Sequence, residues 1–139
     1  MQKVRDFRKV QLDRASLALS EARRRETTER EQLEEAVAKE LDAHARRAEL
    51  AKGGAPIIDW TVAEQWLHAS QQRVRKGRDQ LAEASRRVAH AQADALKART
   101  QVERIELLLE RYRLEMTKAV ATAERKLEDE LAGRQPQAR

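Results

Sequence analysis

The sequence has 139 residues, of which 38% are charged and 3% are aromatic, and alanine accounts for much of its hydrophobic fraction. Such a composition is poor material for a globular core and is typical of a coiled coil or long helix. There is no cysteine, which excludes a disulfide framework and a thiolate metal site. The 29 basic and 24 acidic residues give a net charge of +5 but are interspersed, which favours solvated helix faces over a surface for nucleic acid or membrane.

No apolar run approaches the ~20 residues that a transmembrane helix needs. Residues 1–10 are charged and lack the apolar block and small-residue cleavage site of a secretory signal. We therefore expect a cytoplasmic protein that is not inserted in a membrane.

The first predicted helix covers residues from about 2 to 52. Apolar residues three and four apart predict one face of this helix, which Glu26 and Glu29 interrupt. The members of that face are Leu12, Ala15, Leu19, Ala22, Leu33 and Ala36. Further on, the spacing predicts a shifted phase that includes Val37, Leu41, His44 and Ala48.

A turn is predicted over residues 53–58. Gly53 suits a left-handed helix cap, and Pro56 cannot continue the first helix. Asp59 is expected to be the N-cap of a second helix, with Ile58 packing on its first turn as a hydrophobic staple. Two helices joined by so short a loop lie antiparallel.

The second predicted helix runs from about residue 59 to 131. Alternate steps of three and four give a row of apolar residues that only Ser70 and Gly77 break, and this strict seven-residue repeat predicts a left-handed coiled-coil seam. The seam positions are Trp60, Ala63, Leu67, Ser70, Val74, Gly77, Leu81, Ala84, Val88, Ala91, Ala95, Ala98, Val102, Ile105, Leu109, Tyr112, Met116, Ala119 and Ala123.

Antiparallel pairing through this turn predicts that the numbers of facing residues sum to roughly 110, because both helices rise equally per residue. Leucines of the first helix then meet small residues of the second: Leu12 lies near Ala98, Leu19 near Ala91 and Leu33 near Gly77. The predicted fold is all-α, an antiparallel two-helix coiled-coil hairpin with a longer second helix, in a single domain over residues 1–139.

The longer helix is expected to extend alone from residue 110 to about 131, by ~30 Å at 1.5 Å per residue. Its apolar residues would then have no partner in the chain, which predicts a docking surface, with self-association into a weak dimer as the alternative. They are Leu109, Tyr112, Met116, Leu127 and Leu131. Residues 132–139 are expected to form a flexible tail.

No catalytic, cofactor or metal site is predicted. His44, His68 and His90 lack the spacing of a zinc-binding pair on one helix, and Gly53-Gly54 is not followed by the lysine and Ser/Thr of a phosphate loop. A helical hairpin also has no cleft in which carboxylates could be desolvated. An enzyme is therefore not expected.

The two tryptophans both lie just after the turn. Trp60 is explained by seam packing, whereas Trp66 stands one residue before the seam position Leu67 and is expected to be partly exposed. Because tryptophan is enriched in binding hot spots, Trp66 either covers the turn or contacts a partner.

Near the end of the sequence, Leu108-Leu109-Glu110-Arg111 is followed by Leu127-Glu128-Asp129-Glu130-Leu131-Ala132, and an aromatic residue follows the broken middle. These features resemble the FliJ/YscO family of type III secretion stalk proteins, which have an "LxxR … DExA" ending. The resemblance covers nearly the whole chain.

The resemblance implies a cytoplasmic central stalk at the inner-membrane secretion apparatus, flagellar or virulence-associated. Family members insert paired terminal helices into the hexameric export ATPase and contact the export gate, and some bind export chaperones. The residues expected to contact the ATPase are Leu109, Arg111, Tyr112, Arg113, Met116 and Leu127. Those expected to contact the gate are Trp60, Trp66 and Leu67, although Ser70, Arg73 and Gly77 depart from the family pattern.

A rival interpretation is a basic coiled-coil scaffold that binds nucleic acid, the ribosome or a membrane surface. Its support is the sequence pI of about 9.9. The basic stretches Arg23-Arg24-Arg25 and Arg73–Arg78 lack the interleaved aromatics that stack bases, so this interpretation ranks second.

Overall fold

A computed structural model describes residues 2–134, which form two α-helices. α1 comprises Gln2–Leu50 and α2 comprises Ile57–Arg134. The helices pack against each other, and residues 2–134 contain no strand. The predicted all-α hairpin with a longer second helix is therefore confirmed. Compact packing divides the chain into Met1–Leu12 with Lys97–Arg139, here called the terminal unit, and Asp13–Leu96, here called the turn unit.

The turn between the helices depends on two glycines with left-handed backbone. Gly53 and Gly54 have φ of 108° and 82°, a region that side chains with a Cβ rarely adopt, as the sequence predicts for Gly53. α1 ends at Leu50, earlier than the predicted residue 52. The reason is that the N–H groups of Lys52 and Gly53 donate to carbonyls three residues back, which tightens the chain out of the α-helix.

The predicted start of α2 at Asp59 is wrong. The carbonyl of Pro56 accepts hydrogen bonds from the N–H groups of Asp59 (3.1 Å) and Trp60 (3.4 Å), so the helix begins at Ile57. Ile58 lies inside the first turn and is 68% exposed, so it does not act as the predicted staple. Asp59 remains favourable in the first turn, where the helix dipole stabilises a carboxylate.

The far end of α2 reaches Arg134, beyond the predicted end at residue 131. Residues 135–139 of the predicted tail lie outside the described residues. Neither helix, over residues 2–134, has a stretch both long and apolar enough to cross a membrane.

In the turn unit, α2 buries the predicted heptad row. Leu33 of α1 packs onto Gly77, where an added Cβ would lie 3.2 Å from Leu33 Cδ1, so this predicted pairing is confirmed. Arg47 also bridges to Glu64 across the helices at 2.8 Å, which fits the same register. The buried residues of this row are Ala63, Leu67, Ser70, Val74, Gly77, Ala84 and Val88.

The predicted phase shift in α1 is wrong. Leu41 is 64% exposed, whereas Ala43 is completely buried and Glu40 is half-buried. The three-four spacing that includes Leu33 and Ala36 therefore continues without a break through the second half of α1. The uninterrupted row of α2 sets the phase of its partner, and burying the small Ala43 in that row outweighs exposing Leu41.

In the terminal unit, polar side chains join the two helices. Arg8 Nη1 donates to Oε1 of Gln101 at 2.7 Å, and Lys9 Nζ lies 3.8 Å from Glu106 Oε1. Val102 is buried beside these contacts. The first pair fits the predicted register, since its residue numbers also sum to about 110.

Ser70 is a polar residue in the buried row, and burial of its hydroxyl is expected to lower the free energy of unfolding. The residue is 1% exposed, and Ser70 Oγ has no hydrogen-bond partner among the described residues. Ser70→Ala is expected to raise the free energy of unfolding by about 1 kcal/mol, because an unsatisfied buried hydroxyl is removed. Urea denaturation followed by circular dichroism measures this; a lower stability of the variant would show that Ser70 Oγ is bonded.

Glu83 is the residue whose titration the structure perturbs most clearly. Hydrogen bonds from Arg86 (3.0 and 3.2 Å), and then its charge, lower the pKa of this carboxyl below its ordinary value of 4.5, with a smaller effect of Arg87. A lowered pKa stabilises the fold above the unfolded-state pKa, and this contribution is lost as pH falls through the folded-state pKa.

An NMR titration is therefore expected to place the pKa of Glu83 below 4.5. Arg86→Gln should return it towards the ordinary value, because the main donor is removed. Arg87→Gln serves as the matched control and should cause a smaller rise. A larger rise in the control would contradict this order of causes.

Candidate protein-docking surfaces

The first candidate surface lies on α2 beyond Leu109. Tyr112, Met116 and Leu127 are 57%, 48% and 58% exposed, and Tyr112 and Met116 continue the heptad row that is buried in the turn unit. We call Leu109, Tyr112, Met116, Val120, Leu127 and Leu131 the terminal face. The start of this face forms one wall of an open groove, whose lining residues are Gln2, Arg5, Leu109, Tyr112, Arg113, Met116, Thr117 and Val120.

The spacing of apolar residues changes where the terminal face begins. Leu109, Val120 and Leu131 are eleven residues apart, as are Met116 and Leu127. An eleven-residue repeat has 3.67 residues per turn, so its stripe winds slightly right-handed where that of a seven-residue repeat winds left-handed. Val120 is not part of the heptad row for this reason, and the eleven-residue spacing is the signal that includes it.

Arg113 flanks the terminal face, whereas Arg111 lies towards the other side of α2, seven residues before Lys118. Arg113 Nη1 lies 3.8 Å from Glu110 Oε2 across one helical turn, and its side chain is 76% exposed. Arg111 is exposed as well. Since the pair with Glu110 is loose and solvated, it holds the Arg113 guanidinium only weakly, and a partner's carboxylate could replace Glu110.

The second candidate surface lies beside the turn. The guanidinium carbon of Arg46 lies 5.2 Å from the centre of the Trp66 ring, within the range of a cation–π contact. Trp66 and Trp60 are both half-buried. Trp66 lines a groove that we call the tryptophan groove, and Trp60 is not among its lining residues. These are Arg46, Leu50, Asp59, Val62, Ala63 and Trp66.

Leu67 does not share this surface. It is 3% exposed and belongs to the buried row between the helices. Arg46 was not predicted as part of the site. The register could have found it, because Arg46 and Trp66 are close to the predicted sum of 110.

A comparison with curated proteins and one with solved structures both give no match. The family model described as flagellar FliJ protein, however, matches residues 1–139. The chain belongs to the FliJ family. This confirms the resemblance drawn from the end of the sequence and makes the chain a stalk-like component of flagellar or type III export, in a family that is not enzymatic.

Two of the three histidines of this FliJ-family chain lie beside a carboxylate of their own helix. His44 Nε2 lies 3.5 Å from Glu40 Oε1, and His90 Nε2 lies 3.4 Å from Asp94 Oδ2. Residues 2–134 contain no group of three or more metal-ligating side chains.

Proposed function

We propose that this FliJ-family chain is a non-enzymatic stalk of a type III export apparatus that joins the hexameric export ATPase to the export gate. The observation that carries the proposal is the exposed terminal face, which continues an apolar row after α1 no longer covers it. In this proposal the terminal face, with Arg111 and Arg113, contacts the ATPase. The tryptophan groove contacts the cytoplasmic domain of the gate, and export chaperones are further partners.

The charge pattern supports a contact that forms and breaks. The helix α2 from residue 110 to 134 mixes both signs around its apolar stripe. Charged contacts at the rim of an interface speed association more than they add affinity, so a mixed surface suits transient contacts with successive ATPase subunits. A wholly apolar helix would bind one subunit and stay there. The proposed location is the cytoplasmic side of the inner membrane, at the apparatus.

The proposal is tested by adding the full chain to the export ATPase of the same organism and measuring ATP hydrolysis. We expect a higher rate than for the ATPase alone, because the chain would stabilise the assembled ring. The chain by itself should not hydrolyse ATP. An unchanged rate over a range of chain concentrations, with binding also absent, would overturn the ATPase part of the proposal.

Trp66→Ala is expected to weaken binding to the export-gate cytoplasmic domain by tenfold or more, since truncating a hot-spot tryptophan costs about 2 kcal/mol or more. Isothermal titration calorimetry measures the affinity, and circular dichroism checks that helicity is kept. Leu41→Ala is the matched control, because Leu41 is 64% exposed and is not among the residues that line the groove, so its truncation should leave the affinity unchanged. If Trp66→Ala and the original chain bind with equal affinity, Trp66 packs against the turn and does not contact the gate.

A further inference from the structure

The terminal face extends over residues 109–131 of α2, so a second helix can pack along its whole length. Within residues 2–134, α1 supplies only Gln2 and Arg5 to the groove at its start. Met116, Val120, Leu127 and Leu131 are each about half exposed along the rest. A continuous apolar stripe of this kind marks an interaction surface.

We propose that the terminal face of one chain packs antiparallel on that of a second copy, with a twofold axis at Val120. Facing residue numbers then sum to about 240, by the equal rise of the two helices. Tyr112 faces the partner's Leu127, and Met116 faces the partner's Ala123. Large residues thus meet medium or small ones, which lets the layers interdigitate. At the ends, Leu109 faces the partner's Leu131.

Charge complementarity supports a second copy as the occupant. Residues flanking the same side of the stripe face each other in an antiparallel pair. Arg113 then lies opposite the partner's Glu128, and Glu115 lies opposite the partner's Lys126. The twofold axis repeats both pairs, so the arrangement places opposite charges together on both sides of the stripe.

This surface also carries the contacts proposed for the ATPase. Pairing with a second copy and binding the ATPase would therefore exclude each other. That consequence rests on the proposed function, whereas the dimer does not.

Cysteine cross-linking tests the pairing directly, because the full chain has no cysteine of its own. Val120→Cys is expected to form a disulfide-linked dimer under mild oxidation, since the residue meets its own copy at the axis. Tyr112→Cys alone should remain monomeric, as should Leu127→Cys alone, but an equal mixture of the two should cross-link. Cross-linking of Tyr112→Cys with itself, or no cross-linking of Val120→Cys, would overturn the proposal.

A charge swap gives a second test in the cysteine-free chain. Arg113→Glu is expected to raise the dimer dissociation constant, measured by sedimentation equilibrium, by about tenfold, because two cross-helix pairs become repulsive. Adding Glu128→Arg should restore the original value. Lys118→Glu, which makes the same charge change on the opposite side of the helix, is the control and should leave the constant unchanged. A monomer at every concentration, or no restoration in the double variant, would contradict the pairing.

Discussion

Replacing Ala43 with arginine should unfold the turn unit at moderate temperature. Ala43 is completely buried, and Leu67 and Ser70, at the same level by register, are 3% and 1% exposed. A larger side chain would overpack the seam at a cost of about 1–3 kcal/mol, and the buried guanidinium adds the cost of an unpaired charge. Since domains are stable by only about 5–15 kcal/mol, the thermal midpoint measured by circular dichroism should fall sharply.

Leu41→Arg is the matched control for this variant. It introduces the same side chain two residues away, at a position that is 64% exposed. Its effect should stay within about 0.5 kcal/mol, as is usual for surface substitutions. If the Leu41 variant unfolds and the Ala43 variant does not, then α1 follows the shifted phase predicted from its sequence, and the structural register is wrong.

Reversing the charges of two arginines near the start of the terminal face, by Arg111→Glu with Arg113→Glu, should abolish stimulation of the export ATPase. The reversal turns attraction to carboxylates on the ATPase into repulsion while leaving the apolar stripe in place. Both side chains are exposed, so the helix itself should keep its stability. The measurement is the ATP hydrolysis rate against chain concentration, with circular dichroism as the check on folding.

Arg86→Glu with Arg87→Glu provides the control for net charge. These two exposed arginines lie on the same helix, in the turn unit, and pair with Glu83. Their reversal changes the net charge by the same amount but should leave stimulation intact. Equal loss in both double variants would show that overall charge matters and that the terminal face does not.

The seam of α2 could be predicted because its repeat is long and almost unbroken. Between residues 60 and 109 every predicted seam position is buried or half-buried, and the exposure begins at Tyr112. The same sequence also supplied the register, because the glycines of the turn fix where the helices reverse. Gly77 against Leu33 confirms it.

The phase of α1 was predicted correctly as far as Ala36 but not beyond it, because polar residues occupy part of its buried side. Glu26, Glu29 and Glu40 are half-buried in the row where a hydrophobic pattern would show leucines. Glu26 and Glu40 pair with Arg30 and His44 of the same helix, whereas Oε2 of Glu29 is buried without a hydrogen-bond partner among the described residues. Hydropathy alone does not reveal this arrangement. Exposed Val37 and Leu41 then gave a misleading alternative.

The residues of the two candidate docking surfaces are harder to predict from the sequence than the helices are. Trp66 and the terminal face were found from residue type and the predicted overhang, but Arg46 and Val120 were missed. Arg46 belongs to the site only through its position across the helix pair, at 5.2 Å from the Trp66 ring. The start of α2 was predicted two residues too late, because Pro56 and Asp59 both suit a helix N-terminus.

The most direct test of the stalk proposal is cross-linking from both surfaces in the assembled export apparatus. Because the chain has no cysteine, a photo-reactive group can be attached through Tyr112→Cys in one preparation and Val62→Cys in another. If the chain is the stalk, the probe at residue 112 labels the ATPase and the probe at residue 62 labels the export gate. Labelling of the gate from 112 and of the ATPase from 62, or of neither protein from either site, would contradict the stalk proposal.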